Sequence, residues 1–240
     1  MKTLQLTIAE GVATIALDRP EARNALNLEM CEDLLAAAKA VAADENARAL
    51  FIRGKGPVFC AGADLKERPG KPKEWIRARR LKAFEAYDAI EALEIPVIAV
   101  VHGAAFGAGV EIASICDFAI ATPDAIFGTP ETMRGSVGAT QRLPRIVGKR
   151  LAKDMMFTGR RISAQEALQA GLVTRIVEPS ALEKTIQEMS KAMVGSPAHA
   201  MKLGKRCIDR GVELDPAGAK QVEIEAIDEQ LASGKWMGNP

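Results

Sequence analysis

Pro96-Val97-Ile98-Ala99-Val100-Val101-His102-Gly103-Ala104-Ala105-Phe106-Gly107-Ala108-Gly109-Val110-Glu111 reads as a strand over Val97 to Val101, a loop of small residues and the opening of a helix. The same order occurs upstream. Ala49 to Ile52 is a buried strand, Gly54-Lys55-Gly56-Pro57 a turn, Phe59-Cys60-Ala61-Gly62-Ala63-Asp64-Leu65-Lys66 a second small-residue loop, and Lys73 to Leu93 a long helix. Strand, small-residue loop and helix, twice over, set the fold class as α/β.

Glycine and alanine let backbone amides come close to a ligand oxygen. Gly62 leaves the Ala63 amide open to an incoming carbonyl, and Ala108 and Gly109 lie near a helix N-terminus, where unpaired amides favour negative charge. Either loop alone also reads as a packing turn. Together they supply two converging donors of the kind a developing enolate needs, each typically worth ~2.7–4 kcal/mol. Glu111 sits in an otherwise apolar or small helix opening, where an ionised side chain would be costly without a task. Glu131 follows Thr129-Pro130 and, on its own, reads as well as the solvent-facing start of a turn or helix. Two acids beside two such loops can add and remove protons around a stabilised oxyanion.

Outward from this centre, Leu4 to Ile8 and Val12 to Asp18 form a hairpin around Ala9-Glu10-Gly11, and Leu28 to Ala43 has helical periodicity. Strands follow near 118–121 and 125–127, helices near 148–158 and 163–170, and a last short strand within 171–177. From Pro179 the text is helical, broken at Gly195-Ser196-Pro197 and near Leu214-Asp215-Pro216. The expected division is a core over 1–195 and a helical oligomerisation region over 196–240.

Thirty-two basic residues against 31 acidic ones leave a formal net charge of +1, so no whole-molecule field draws the chain to nucleic acid or an anionic membrane. The apolar run Ile95 to Val101 contains Pro96 and is too short to span a bilayer. Met1 to Ile8 alternates polar and apolar residues, unlike a signal peptide, and the four scattered cysteines read as small buried hydrophobes in a reducing compartment. Cytoplasmic residence is the expectation. Neither His102 nor His199 has metal partners at ligand spacing, so no metal site is expected. Arg68, Lys71, Lys73, Arg77, Arg79, Arg80 and Lys82 concentrate positive charge after the first loop, suited to a phosphate-bearing tail or simply to a solvated helix face.

From Leu17 to Val177 the chain resembles the crotonase, or enoyl-CoA hydratase/isomerase, superfamily. The resemblance rests on Arg19-Pro20, Asn24-Ala25-Leu26, the FCAGADLK loop, Pro96 to Gly103, Gly107 to Glu111, Pro130-Glu131, Thr158 to Ala164, and Ala167 through Leu172-Val173, all in the family's order. It implies a crotonase-like spiral of repeated ββα units with a C-terminal helical region. It also implies a coenzyme A thioester substrate with no separate cofactor, and an oxyanion hole from the amides of Ala63 and Ala108. Glu111 and Glu131 match the two hydratase glutamates, with Glu111 orienting water and Glu131 acting as acid to Cα. Substrate contacts would come from Ala22, Arg23, Ala61, Gly62, Ala63, Asp64, Leu65, Lys66, Gly107 and Ala108, and the assembly would be a homotrimer or hexamer. Two departures stand out. Gly135 to Thr140 is a few residues shorter than the common family loop and lacks its proline, and the ending Gly234 to Pro240 lacks the usual final phenylalanine and basic helix.

Hydration, or the reverse dehydration, is the expected reaction because both glutamate positions are occupied. An isomerase needs chiefly one acid/base and is the nearest enzymatic alternative; hydrolysis, carbon–carbon cleavage and decarboxylation rank below it. A non-catalytic acyl-CoA binder or an RNA-associated relative is disfavoured by the near-neutral charge and the two acids.

Overall fold

The computed structural model describes residues 1–234. Strands β1 (Leu4–Ala9) and β2 (Val12–Leu17) form an antiparallel hairpin with Leu4 opposite Leu17 and Ala9 opposite Val12. Helix α1 (Leu28–Ala42) is capped by the Asn27 side chain, which accepts from Met30 N. Strand β3 (Ala49–Gly54), helix α2 (Lys73–Glu91), strands β4 (Val97–Val101) and β5 (Ala104–Phe106), and helix α3 (Ala108–Ser114) follow. Then come β6 (Phe118–Ala121), β7 (Ile126–Gly128), α4 (Arg142–Thr158), β8 (Arg161–Ser163), α5 (Ala164–Gln169), β9 (Arg175–Ile176), and the C-terminal helices α6 (Leu182–Gly195), α7 (Ala198–Gly211) and α8 (Pro216–Ala232). Among the described residues no helix is long and apolar enough to cross a membrane.

The main sheet has the order β1-β2-β3-β4-β6-β9, parallel from β2 onward; a smaller sheet runs β5-β7-β8. Central strands of a parallel sheet are covered on both faces, so they read as continuous apolar runs. Leu50 and Ile52 of β3, with Val97, Ala99 and Val101 of β4, enter the large core with α1, α2 and α3. Their alternates Ala49, Phe51, Ile98 and Val100 pack on the other face with Leu182 and Met189 of α6.

Three details depart from the reading of the sequence. Strand β5 lies inside the segment read as loop, because Ala104 to Phe106 pairs with β7 and Ala105 bridges Cys60. Strand β8 was not expected; its alternating pattern is only three residues long. Helix α4 begins at Arg142 rather than near 148, with Gly148 at a non-helical φ of 78° interrupting it. The breaks at 195–197 and 214–216 separate α6, α7 and α8 as expected, and Lys235 to Pro240, the atypical ending, lies outside the described residues.

Candidate active site

The AGAD loop is held on both edges. Leu26 N donates to Gly62 O (2.8 Å) and Asp64 N to Leu26 O (2.8 Å), so the amide of Ala63 between them points away from Leu26, on the cavity side. On the other edge Cys60 N donates to Ala104 O (3.0 Å) and Phe106 N to Cys60 O (2.9 Å). The partner segment of the first edge is itself fixed by Asn24. This fully buried side chain accepts from Arg19 N (2.9 Å) and donates to Lys55 O (2.8 Å) and Val58 O (2.9 Å).

Phe106 leads through Gly107 into α3, and Ala108, its first residue, presents an amide with no acceptor one turn back. Gly107 has φ +51°, a conformation side-chain-bearing residues rarely adopt, and a Cβ there would come 2.6 Å from Glu131 Oε1. Gly109 is required by close approach instead, since its Cβ would lie 2.4 Å from Cys60 O. Gly107→Ala is therefore expected to cost about 1–3 kcal/mol in backbone strain. It should also displace the Glu131 carboxylate, lowering kcat by roughly 10²-fold. Thermal unfolding and steady-state rates measure the two effects, and an alanine variant with wild-type kcat would contradict this placement of Glu131.

Ala61, Gly62, Ala63, Leu65, Gly107, Ala108, Glu111 and Glu131 line one cavity of about 110 Å³. That is about four water volumes, the room of a short acyl chain. The other four expected contacts, Ala22, Arg23, Asp64 and Lys66, do not line it. Asp64 turns its carboxylate to Arg19 (3.1 Å) and caps Lys66 N (3.0 Å), Lys66 is exposed, and Arg23 meets the loop through its carbonyl, which accepts from Ala61 N (3.0 Å). Ala22 lies beside it in the short turn Pro20–Ala22. A larger groove of about 880 Å³ borders α7, lined by Arg142, Lys205 and Ile208 among others; it contains neither glutamate.

The two acids occupy opposite electrostatic settings. Glu111, 5% exposed, is gripped by Arg80, whose Nη1 donates to Oε2 (2.9 Å) and Nη2 to Oε1 (2.7 Å); Ala139 N also donates to Oε1 (3.1 Å). A carboxylate has about four lone-pair positions. Oε1 is thus saturated and Oε2 keeps one free site. Glu131 Oε2 is buried with no donor, and burial lifts the Glu131 carboxyl above its ordinary range; a hydrogen bond from its own backbone amide opposes the rise and the charge of Glu111 adds to it. The site therefore pairs an arginine-bound carboxylate with a carboxyl biased toward its protonated form.

Sequence reasoning placed Arg79 and Arg80 with the basic residues suited to a phosphate tail. The structure corrects this: Arg79 is buried, bonded to Glu67 (2.6 Å) and to the Leu26 carbonyl, and Arg80 is spent on Glu111. Both lie on the inner face of α2, one turn from the buried Ala83 and its neighbours. Arg68, Phe106, Arg134, Ser136 and Val137 also line the cavity and were not singled out for it, and the Ala139 amide reaches Glu111 from the loop before α4.

The family model described as enoyl-CoA hydratase/isomerase matches residues 7–232. A probable mitochondrial enoyl-CoA hydratase 2 of Arabidopsis thaliana is 40% identical over 221 residues, covering 89% of this chain and 72% of the relative. A short-chain-enoyl-CoA hydratase of Clostridium acetobutylicum is 39% identical, covering 91% and 85%. Among solved structures, an enoyl-CoA hydratase of Mycobacterium smegmatis superposes with a TM-score of 0.92 at 36% identity, covering 96% of this chain and 91% of that one. One from Thermobifida fusca, described as a putative enoyl-CoA hydratase in complex with CoA, gives 0.90 at 29% identity, covering 96% and 93%.

Proposed function

The chain belongs to the enoyl-CoA hydratase/isomerase family, and from that premise we propose how its site hydrates a 2-enoyl-CoA. The unequal settings of Glu111 and Glu131 around one cavity carry the reading. The thioester oxygen accepts from the amides of Ala63 and Ala108, which stabilise it as enolate character develops. Water hydrogen-bonds to the one free position of Glu111 Oε2 and adds to Cβ, its proton passing to that carboxylate. Glu131 gives its proton to Cα, and a proton transfer between the two acids resets the pair. Coenzyme A enters as part of the substrate and no further cofactor takes part.

We place this activity in a cytoplasmic homotrimer or dimer of trimers. The assembly is supported by family kinship and by large apolar side chains exposed on the last two helices, Ile208, Ile224, Ile227 and Leu231; the compartment is supported by four free cysteines.

Incubation with but-2-enoyl-CoA tests the reaction. The expected result is loss of the conjugated enoyl absorbance with a product heavier by one water. A product of unchanged mass with a shifted double bond would replace hydration by isomerisation, and an unaltered substrate would remove the reading.

A further inference from the structure

Three arginines, Arg68, Arg80 and Arg134, line the small cavity together with the two glutamates. Arg80 is committed to Glu111. Glu131 shares the cavity but forms no ion pair with either of the other two. Arg68 follows the AGAD loop, and its Nε is buried with no hydrogen-bond partner. Burial and then the neighbouring charge of Arg79 act against its guanidinium charge, opposed in part by Glu67, whose carboxylate is itself bonded to Arg79. Arg134 stands on the turn after Glu131, close enough to oppose the upward shift of that carboxyl. Among the described residues neither guanidinium has an acidic side chain within ion-pair distance, whereas Arg19, Arg53, Arg79, Arg142, Arg160 and Arg206 all do.

Arg68 is half-buried and Arg134 exposed, so the cost of a partly desolvated, unpaired guanidinium falls on Arg68, whose fork of donors matches a carboxylate. Arg134 adds a second positive charge at the rim. The natural counter-ion of Arg68 here comes with the ligand. The phosphates of coenzyme A lie a whole pantetheine arm away from the thioester, so they do not enter a 110 Å³ cavity whose walls already include the amides of Ala63 and Ala108 and both acids. What does enter is the acyl group. Resting on the hydratase reading above, we infer that Arg68 and Arg134 bind a carboxylate at the far end of the acyl chain, so that the preferred substrates are short enoyl-CoA esters of dicarboxylic acids. Leu65 and Val137 supply the apolar contact for the carbons between.

The test compares length-matched thioesters. Wild-type protein is expected to turn over pent-2-enedioyl-CoA with a kcat/KM at least tenfold above that of pent-2-enoyl-CoA. Arg68→Met should reduce this ratio at least tenfold, and Arg68→Lys should reduce it less. A wild-type ratio at or below one overturns the proposal. So does an Arg68→Met variant that loses both activities equally, since a contact to coenzyme A or a purely structural role moves both substrates together. Calorimetric binding of the saturated pair, pentanedioyl-CoA and pentanoyl-CoA, separates this proposal from the reaction it rests on. Tighter binding of the dicarboxylic ester, lost in Arg68→Met, upholds the carboxylate site even if neither enoyl ester is hydrated. Equal binding overturns the site even if both are.

Discussion

Glu131→Gln is expected to lower kcat for hydration by about 10²–10⁴-fold while KM changes only a few-fold. The substitution keeps the shape of the side chain and removes the proton that the proposed mechanism sends to Cα; the amides of Ala63 and Ala108 and the Arg80–Glu111 pair stay in place. The same variant carries a stability signature of defined sign. Glu131 has a native pKa raised above its ordinary 4.5, first by burial, so its contribution to stability is whole below that value and is lost as pH rises through the native one. Glutamine does not titrate. The unfolding temperature of Glu131→Gln should therefore gain on wild type as pH rises above the ordinary glutamate value of 4.5 and through the raised native one. A difference that shrinks with rising pH would show that the carboxyl is not desolvated, and an undiminished kcat would dismiss Glu131 as the acid.

The second large effect belongs to Arg80→Leu. Removing one partner of a buried pair strands the other charge, at about 3–5 kcal/mol. Glu111 keeps only the Ala139 amide. The Arg80 side chain is 28% exposed, which places the expected loss at the lower end, about 3 kcal/mol, or roughly 6–12 °C in unfolding temperature for a chain of this size. Adding Glu111→Gln to Arg80→Leu should recover most of that loss, because a neutral amide needs no counter-ion. Hydration stays low in the double variant, so stability and turnover separate. If the double variant is no more stable than Arg80→Leu, the cost lies in packing against Phe84, whose ring centroid is 4.5 Å from the guanidinium carbon, and not in the stranded charge.

How much of this was legible in the sequence differs by residue. The strands β3 and β4 and the helices α1 and α2 were plain, because long apolar runs and 3.6-residue periodicity are local signals. Glu111 was visible as a charge in apolar text. Glu131 was not visible by itself and came through the ordered resemblance. Arg80 was read with its basic neighbours, since helical spacing says which residues share a face but not that this face meets a carboxylate 31 positions later. Strands β5 and β8 were too short to show a pattern, being held by partners distant in the chain.

The two bridges flanking the AGAD loop, Leu26 with Ala63 and Cys60 with Ala105, bear on the timing of turnover. A donor that must swing over its substrate adds a conformational step to every cycle, on the microsecond-to-millisecond scale typical of lids. As the donor proposed above, the Ala63 amide has no such step to make, since its loop is bonded on both edges. The entropy of ordering its loop is lost once, when chain segments more than thirty residues apart close on each other during folding, and not again with each molecule of substrate.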